Sequence, residues 1–476
     1  MVKAFSNREI LFYVILISLL GTSFLYWKLE RGSVNPYDLL FKKSSRIKGY
    51  VVTIAPLING RLYARVSEGK CPRDRSYYDG KCYYYICPLI GIFLYLPLIL
   101  LFGIYPSDML IAIILFFGTS ISGCGIIVYI SKKFFKDVPK HIVVIGMVVF
   151  VCNRGMNFMS NIASANYLIP QFAANFFISS SICMFLYAPK KHQRGLYLLL
   201  GIFLGFGMWN RTTLLPSTII VLISFLWYLR LNHVKTEKKT SSLNLIVGFA
   251  MVLAVVLLLN YLRFGDFFET GLQLQNNKFV KGGYSKIDYT NIGTGYWNYL
   301  LQPPRFNARK LDIDAFSEVR YCKKVGGTLC DFLVAVAGKQ LRIGTASTGL
   351  LFIAPYTLPV LLIPFYLIWK TIRLGLAGIW NKKNLPGLIR KPEPKHVFLY
   401  SMFLCFLATV TALSLVRIVR ERYYYDFIPF AVLASFTGYC FILEKINERH
   451  PTNKALVYAF NFVFIALSAI TVFFSR

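Results

Sequence analysis

Apolar runs of about 20 residues recur along the whole chain, and they limit the possible folds more than any other feature. A helix of that length crosses the hydrocarbon core of a bilayer, where every backbone polar group must be satisfied within the protein. The runs are continuous, whereas the strands of a membrane barrel alternate in polarity. Because 56% of the residues are hydrophobic and 16% are charged, we predict an all-α polytopic membrane protein with one integral-membrane domain over residues 1–476.

About eleven of these runs are long enough to be membrane spans. The first one exceeds the apolar core of a signal peptide and is not followed by a cleavage site, so we interpret it as a retained anchor. The predicted spans are 10–27, 109–130, 141–159, 166–187, 196–210, 213–230, 243–262, 348–369, 397–416, 427–443 and 455–474.

The run 86–102 determines the orientation of every later span. If it crossed the membrane, the lysine-rich connection 131–141 and the later basic connections, 370–396 among them, would lie outside. Lys and Arg instead concentrate in cytoplasmic loops, and several prolines and glycines interrupt the run. We therefore interpret 86–102 as an interfacial, juxtamembrane helix. The N-terminus is then cytoplasmic, and the long segments 28–108 and 263–346 are extracytoplasmic.

The net charge of +32, from 53 Lys and Arg against 21 Asp and Glu, has two explanations. Cytoplasmic loops of membrane proteins accumulate basic residues, which accounts for most of the excess. A partner that carries phosphate, such as an anionic lipid, is the alternative. Nucleic acid is not expected, because the sequence contains no compact basic domain or nucleic-acid recognition motif.

Cysteines and histidines give few indications of a metal or redox site. Cys71, Cys82 and Cys87 lie in the first outer segment and Cys322 and Cys330 in the second, so disulfides can form if that face is oxidising. Cys322–Cys330 is one candidate pair, and the pairing in the first segment stays open. All 5 histidines lie in predicted inner connections, which disfavours a histidine metal site outside. The chain also lacks the nucleotide-binding loop of an ATP-driven pump.

Five short stretches combine charged, aromatic and small residues. They are D-R-S-Y-Y-D-G-K-C-Y at 74–83, R-T-T at 211–213, N-Y-L-R-F-G-D at 260–266, G-L-L-F-I-A-P at 349–355 and R-Y-Y-Y-D-F-I-P at 422–429. In this order they resemble motifs of the GT-C superfamily of integral-membrane glycosyltransferases, which includes protein O-mannosyltransferases and aminoarabinose transferases. The resemblance implies transfer of a sugar from a polyprenyl-phosphate donor to a lipid, glycan or protein acceptor on the extracytoplasmic face. It also implies a catalytic aspartate in the first outer segment.

A carboxylate is needed in such a reaction because the acceptor hydroxyl must lose a proton as it attacks the sugar. Asp74 is the first candidate for this general base and Asp79 the second. Asp38 is the third, because many superfamily members place the aspartate near the end of the first helix, commonly as an Asp-Glu pair that this sequence lacks. Since Asp79 precedes Gly80, and Asp-Gly is itself a turn signal, a purely structural role is the alternative for Asp79.

The leaving phosphate gains negative charge, which Arg and Lys side chains can stabilise. Arg420 and Arg422 are the first candidates, because they lie in a predicted outer connection where basic residues are not expected. Lys81, Arg211 and Arg263 are further candidates for this substrate-binding role. The alternative for the arginines is that they extend to the membrane interface without contacting substrate.

Tyrosines can present a ring face to a sugar and a hydroxyl to its polar groups. Tyr83 and Tyr425 are the candidates for this role, and the alternative for Tyr425 is an aromatic belt at the interface. Asp266 and Glu269 either pair with Arg263 or contact the acceptor. We predict no dedicated metal site, although acids in the outer segments could hold a divalent ion.

Two other functions remain possible. A transporter or flippase of a lipid-linked sugar also needs many helices and basic contacts, but transporters carry ionisable residues near the middle of the bilayer. The predicted spans are nearly free of such residues, which favours the enzyme. A non-catalytic scaffold for other envelope enzymes is the third possibility.

Overall fold

The structure is a computed structural model that describes most of the predicted spans and parts of the outer segments. The described residues are 6–30, 56, 60–65, 71, 75–83, 90–103, 106, 108–135, 138–152, 165–188, 194–232, 235–271, 274–275, 289, 292–301, 305–307, 312–314, 350–362, 393–415, 423–450 and 452–474. Four candidate site residues lie outside these ranges: Asp38, Asp74, Arg420 and Arg422. Most of the segment 263–346 and of the basic loop 370–396 also lies outside them.

Helices dominate the described residues. They are α1 (Asn7–Glu30), α2 (Leu96–Phe102), α3 (Asp108–Tyr129), α4 (Lys140–Cys152), α5 (Ala165–Tyr187), α6 (Arg194–Asn210), α7 (Leu215–Asn232), α8 (Lys235–Phe264), α9 (Pro394–Ser414), α10 (Tyr424–Arg449) and α11 (Lys454–Phe474). Short helical turns cover Gly91–Tyr95, Ile130–Phe134, Thr212–Leu214, Ile292–Tyr296, Trp297–Leu301, Leu350–Ile353 and Pro355–Thr357. The prediction of an all-α fold is confirmed.

Seven helical segments among the described residues are long and apolar enough to cross a bilayer. They are Leu110–Phe134, Ile169–Tyr187, Thr212–Arg230, Thr240–Phe264, Pro394–Ser414, Tyr424–Arg449 and Lys454–Val472. The chain is therefore an integral membrane protein, as predicted. Helices α1, α4 and α6 coincide with three further predicted spans, and the count of about eleven spans stays a prediction.

Contacts between helices show that α1 and α4 run in the same direction. At one end, Lys140 Nζ lies 3.4 Å from a carboxylate oxygen of Glu9. Nearer the other end, Gly21 packs so closely against Val151 that a Cβ atom on Gly21 would overlap its side chain. Both contacts pair residues that advance together along the two helices, so the axes are parallel.

Helix α3 runs in the opposite direction. Gly146 of α4 approaches Ile127, whereas Gly123 of α3 lies against Phe150, so residue numbers rise in one helix as they fall in the other. Because α1 and α4 are parallel, α1 ends and α3 begins at the same end of the bundle. The connection 31–107 between α1 and α3 therefore begins and finishes at the same end of the bundle.

The helices of the central part are also ordered by close contacts. A Cβ atom on Gly201 of α6 would overlap the backbone carbonyl of Leu245 in α8, and one on Gly205 would overlap Val252. Helices α6 and α8 therefore run parallel and touch almost backbone to backbone, which only small residues allow. Helix α5 runs antiparallel to α6, since Ser181 Oγ donates a hydrogen bond to the carbonyl oxygen of Leu200 and Gly207 contacts Ile178.

These directions give the bundle two ends that differ in charge. At the lysine end, α3, α5, α7 and α10 finish and α4, α6, α8, α9 and α11 begin. The basic residues described there include Arg8, Lys132, Lys133, Lys140, Arg194, Arg230, Lys395, Lys445, Arg449 and Lys454. At the opposite end, α1, α6, α8 and α9 finish and α3, α5, α7 and α10 begin. We call it the hairpin end, after the β-hairpin 76–83 that packs against the end of α8. The prediction that the lysine end is cytoplasmic rests on the positive-inside rule.

A short helical segment in the region of the predicted interfacial helix lies beside the hairpin end. It consists of the turn Gly91–Tyr95 followed by α2, and it ends where Gly103 adopts a left-handed conformation with φ of 62°. Its 12 residues extend about 18 Å at 1.5 Å per residue, which is less than the roughly 30 Å of hydrocarbon that a span must cross. Phe93 packs edge-on against Phe206 of α6, with ring centroids 5.0 Å apart.

The first outer segment also contains a small antiparallel sheet. Its strands are β1 (Ala64–Arg65), β2 (Ser76–Tyr78) and β3 (Lys81–Tyr83), in the order β1-β3-β2. Asp79 and Gly80 form the two-residue turn between β2 and β3, both with positive φ, of 47° and 70°. That conformation matches the twist of a tight hairpin and favours Asp-Gly. A second pair, β4 (Arg305–Asn307) and β5 (Asp312–Asp314), is also antiparallel.

Candidate functional site

The side chains of the β2–β3 hairpin alternate between the two faces of the sheet. Ser76 pairs with Tyr83, and Tyr78 pairs with Lys81. Because side chains alternate along a strand, these four residues share one face. Cys82 lies on the other face and forms a disulfide bond with Cys71. This pairing, which the sequence left open, ties the hairpin to the chain just before it.

The hairpin is docked onto the segment that follows α8. Tyr77 N donates a hydrogen bond to the carbonyl oxygen of Leu274 at 3.0 Å, and Ser76 Oγ donates to the carbonyl oxygen of Gly271 at 2.5 Å. Gly271 has φ of 80°, and a Cβ atom there would overlap both Phe264 and Ser76. Glycine is thus required at this position. The contacts join the first outer segment to the beginning of the second.

The shared face of the hairpin carries aromatic rings and two cations, which together we call the hairpin cluster: Tyr63, Lys81, Tyr83, Arg263 and Phe264. The Tyr83 and Phe264 rings pack with centroids 5.1 Å apart. The Arg263 guanidinium carbon lies 4.6 Å from the Phe264 ring centroid, and Lys81 Nζ lies 5.2 Å from that of Tyr63. Such cation–ring contacts are favourable and hold both charges beside Tyr83.

Ionisation in the hairpin cluster follows from these contacts. The hydrogen bond that Lys81 donates to the Asp79 carboxylate raises the pKa of Lys81 above its ordinary value, so the ammonium is charged at neutral pH. Burial raises the pKa of the Tyr83 hydroxyl, while the nearby positive charges of Lys81 and Arg263 act in the opposite direction. The cluster therefore combines two positive charges with a neutral tyrosine, a combination that suits an anionic group attached to a hydroxylated ring.

Asp79, the second candidate for the base, lies in the hairpin turn. Its side chain is 75% exposed and forms an ion pair with Lys81 at 3.3 Å. The positive φ of 47° is one that aspartate tolerates better than most residues. These features agree with the structural alternative for Asp79, and its role as a base stays a prediction.

A second group of predicted residues surrounds a buried carboxylate where α6, α7, α5 and α10 meet. We call it the corner cluster: Gln171, Arg211, Thr213, Tyr423 and Asp426. Arg211 Nε donates to both oxygens of Asp426, at 3.1 and 2.9 Å. Thr213 Oγ1 donates to Oδ2 at 3.0 Å, and Gln171 Nε2 to Oδ1 at 3.4 Å. Asp426 is fully buried, so its charge is balanced inside the protein.

The corner cluster also positions the chain that leads into α10. The Tyr423 ring lies under the Arg211 guanidinium at 5.1 Å, immediately after the candidate Arg422 in the sequence. Tyr425, a predicted substrate residue, is fully buried, with its ring edge-on to Phe172 at 5.2 Å. It lies in the helix core of this structure, and its contact with substrate stays a prediction.

The two clusters lie at the same end of the bundle. The contacts of Gly201 with Leu245 and of Gly205 with Val252 offset α6 from α8 by about 46 residues, which places Arg211 roughly level with Leu257 or Leu258. Arg263 is then about 8 Å further along the axis of α8, at 1.5 Å per residue. Both arginines therefore face the hairpin end, and neither lies near the middle of the bundle.

Asp426 was not among the predicted site residues, although it lies within one of the five short stretches, 422–429. A signal was available, because an acid at the start of an apolar span is costly unless it is paired. The side chains of Asp266 and Glu269 make local hydrogen bonds: Asp266 Oδ1 accepts from Phe268 N and Glu269 Oε1 accepts from Gly271 N.

Within the described residues, no group of three His, Cys, Asp or Glu side chains could hold a metal ion. The possible divalent metal stays a prediction.

The fold and the two clusters define an integral membrane protein with a basic, aromatic site at one end of its helix bundle. No family model and no curated protein matches the sequence. Among solved structures, the chain is similar to the archaeal oligosaccharyltransferase AglB from Archaeoglobus fulgidus, in complex with an inhibitory peptide and a dolichol-phosphate. The identity is 14% and the TM-score 0.39, and the similarity covers 96% of this chain and 55% of that one. The chain thus spans about half the length of that protein.

Proposed function

We propose that the protein is a membrane glycosyltransferase that moves a sugar from a polyprenyl-phosphate donor to an acceptor on the extracytoplasmic face. One observation carries the proposal. Lys81, Tyr83 and Arg263 come from two outer segments that are far apart in sequence, and they meet in one basic, aromatic cluster. That cluster lies at the end of the bundle opposite the lysine-rich connections.

Each residue of the hairpin cluster has a chemical role in this proposal. Lys81 and Arg263 bind the phosphate of the donor and stabilise the charge that develops as it leaves. Tyr83 presents its ring to the sugar. Asp74 precedes β2 closely in the sequence and is the first candidate to take the proton of the acceptor hydroxyl. The bond from the anomeric carbon to the phosphate oxygen breaks as the new glycosidic bond forms, and polyprenyl phosphate is released.

The proposed orientation has independent support. The disulfide between Cys71 and Cys82 belongs to the same hairpin as Lys81, and disulfides persist in oxidising compartments. This agrees with the positive-inside rule, which assigns the lysine end to the cytoplasm. The archaeal neighbour was solved with a dolichol-phosphate and a peptide. The donor and a protein acceptor proposed for this chain belong to the same chemical classes.

A flippase of a lipid-linked sugar is the competing function. The buried charges of a flippase would be expected near the middle of the bilayer. The Arg211–Asp426 pair of the corner cluster instead lies where α6 ends and α10 begins. This placement favours the transferase. Proteoliposomes loaded with polyprenyl-phosphate sugar distinguish the two, because a transferase cleaves the donor and a flippase moves it intact across the bilayer.

The test uses purified protein in nanodiscs, labelled polyprenyl-phosphate sugars and an envelope extract as the source of acceptors. We expect release of polyprenyl phosphate together with labelled glycan, lipid or protein. Asp74→Asn is expected to lower the rate by about 10²–10⁴-fold if Asp74 is the general base, with Asp79→Asn and Asp38→Asn as parallel variants. Intact donor after incubation with the wild-type protein would overturn the proposal. Mass analysis of envelope glycans in a strain lacking the gene identifies the missing product.

A further inference from the structure

Two buried amide side chains have polar atoms without a hydrogen-bond partner where the hairpin meets the end of α8. Asn260 is 1% exposed and Gln275 is 5% exposed. Among the described residues, nothing donates to Asn260 Oδ1, and nothing accepts from Gln275 Nε2. A buried polar group left unpaired loses its hydrogen bonds to water without replacement, and native proteins rarely leave such groups unpaired without a reason. A ligand that pairs with both atoms would supply that reason.

The position of Gln275 follows from its pairing with the hairpin. It forms an antiparallel bridge with Ser76, and Ser76 is opposite Tyr83 on the neighbouring strand. Residues directly opposite each other in antiparallel strands place their side chains on the same face. Gln275 therefore belongs to the face that carries Tyr83 and that packs against Phe264.

Asn260 approaches the same junction from α8. It precedes Arg263 by one helical turn, so the two side chains lie on one side of the helix. Asn260 Nδ2 donates to the carbonyl oxygen of Phe267 at 3.0 Å, which fixes the orientation of the amide and leaves Oδ1 as its unpaired atom. An unpaired acceptor of α8, on the side of the helix that carries Arg263, and an unpaired donor of the residue bridged to Ser76 thus lie at the junction of α8 and the hairpin.

We propose that Asn260 and Gln275 form a subsite for the sugar ring of the lipid-linked donor, and this proposal rests on the function proposed above. A sugar hydroxyl both donates and accepts hydrogen bonds, so it can satisfy Asn260 Oδ1 and Gln275 Nε2 together. A phosphate oxygen only accepts and would leave Asn260 Oδ1 unpaired. The amides therefore select the hydroxylated ring, and Lys81 and Arg263 select the phosphate beside it.

Binding measurements on the full chain in nanodiscs test this division of roles. The probes are mannosyl-, glucosyl- and arabinosyl-phosphoryl polyprenol and the same polyprenyl phosphate without sugar. Gln275→Met keeps the length of the side chain and removes its N–H groups. We expect it to weaken binding of at least one sugar-bearing lipid by about tenfold, the scale of one lost hydrogen bond, with no change for the sugar-free lipid. Tyr77→Phe, which removes a hydroxyl from the opposite face of the hairpin, is the matched control and should change neither affinity.

The possible outcomes separate the two proposals. If wild-type protein binds none of the sugar-bearing lipids, the proposed function and this subsite both fail. If it binds them and Gln275→Met binds all probes as wild type does, the amides hold an ordered water only and the subsite is wrong. An equal loss for lipids with and without sugar also overturns it, because the substitution then disturbs the hairpin rather than the recognition of the ring.

Discussion

The corner cluster and the hairpin cluster both present an arginine at the same end of the bundle, but they are built in different ways. In the corner cluster, helix ends enclose Arg211 and Asp426, and Thr213 and Gln171 complete the hydrogen bonds of the carboxylate. In the hairpin cluster, Arg263 and Lys81 lie on aromatic rings, and the carboxylate bound to Lys81 is exposed.

This difference predicts a role in stability for the corner cluster and a role in substrate binding for the hairpin cluster. A buried ion pair whose carboxylate accepts hydrogen bonds on both oxygens holds its elements in one arrangement, because neither charge can be left alone inside the protein. In the hairpin cluster Arg263 is buried against Phe264, whereas Lys81 is partly exposed, and an exposed pair such as Lys81–Asp79 contributes little to folding. We therefore expect substitutions in the corner cluster to unfold the protein and substitution of Lys81 in the hairpin cluster to change substrate binding.

Asp426→Asn tests the corner cluster and should have the largest effect. It leaves the Arg211 guanidinium facing a neutral amide in a buried site, at an expected cost of about 3–5 kcal/mol. The measurement is the midpoint of thermal unfolding in detergent, read from intrinsic fluorescence. Asp266→Asn, at an exposed acid of the same end, is the control and should leave the midpoint unchanged. The double variant Arg211→Met with Asp426→Leu should recover most of the loss, and an unaltered midpoint for Asp426→Asn would contradict the distinction drawn above.

Cys71→Ser tests whether the hairpin is a separate unit. Loss of the disulfide should destabilise the hairpin by about 2–4 kcal/mol, with little change in the unfolding midpoint of the helix bundle. Limited proteolysis should show faster cleavage in the first outer segment, and donor affinity should fall. Cys183→Ser, at a free cysteine within α5, serves as the control. Parallel loss of bundle stability would show that the hairpin and the bundle fold together.

Lys81→Met tests the binding role of the hairpin cluster. Removal of one cation should weaken binding of the sugar-free polyprenyl phosphate by about tenfold while the unfolding midpoint stays the same. Lys140→Met removes a comparable lysine, paired with Glu9 at the lysine end, and should affect neither property. Unchanged affinity in Lys81→Met would remove this residue from the proposed site.

Asp79→Asn is the smallest perturbation, because Asn-Gly also favours the hairpin turn. If Asp79 is structural, transfer at neutral pH should stay within about twofold of wild type, far from the 10²-fold loss expected for a missing base. The hydrogen bond that Lys81 donates to Asp79 raises the Lys81 pKa above its ordinary value, so phosphate binding by Lys81 is retained below that raised pKa and lost as pH rises through it. In Asp79→Asn this alkaline loss should shift to lower pH, which titration of donor affinity measures.

Much of the fold was predictable, because a membrane span imposes a length and a composition that can be read locally. The predicted span 109–130 and helix Asp108–Tyr129 differ by one residue at each end. Three residues of the hairpin cluster, Lys81, Tyr83 and Arg263, were also among the predicted site residues, because each belongs to a short stretch that resembles a known motif, whereas Tyr63 and Phe264 were not. In each case the signal lies within a few neighbouring residues.

The features that escaped prediction depend on contacts between distant parts of the chain. Asp426 is paired with Arg211 across a separation of 215 residues, and nothing near either residue indicates the other. The Cys71–Cys82 disulfide was one of three pairings that the cysteines of the first segment allowed, and only the folded positions of Cys71 and Cys82 identify it. Gln275 becomes notable only once its bridge with Ser76 is known.

The parallel contact of α6 and α8 has a mechanical consequence. Gly201 and Gly248 allow the two backbones to touch, so these helices cannot approach further, and separating them would lose the close van der Waals packing that small residues allow. Arg211 and Arg263 are therefore carried by one rigid support. Under the proposed function, a bulky lipid-linked donor would reach Arg263 by displacement of the hairpin, which hydrogen bonds and ring contacts hold at the end of α8. The hairpin would then be the moving element, while the glycine-packed helices α6 and α8 stay fixed.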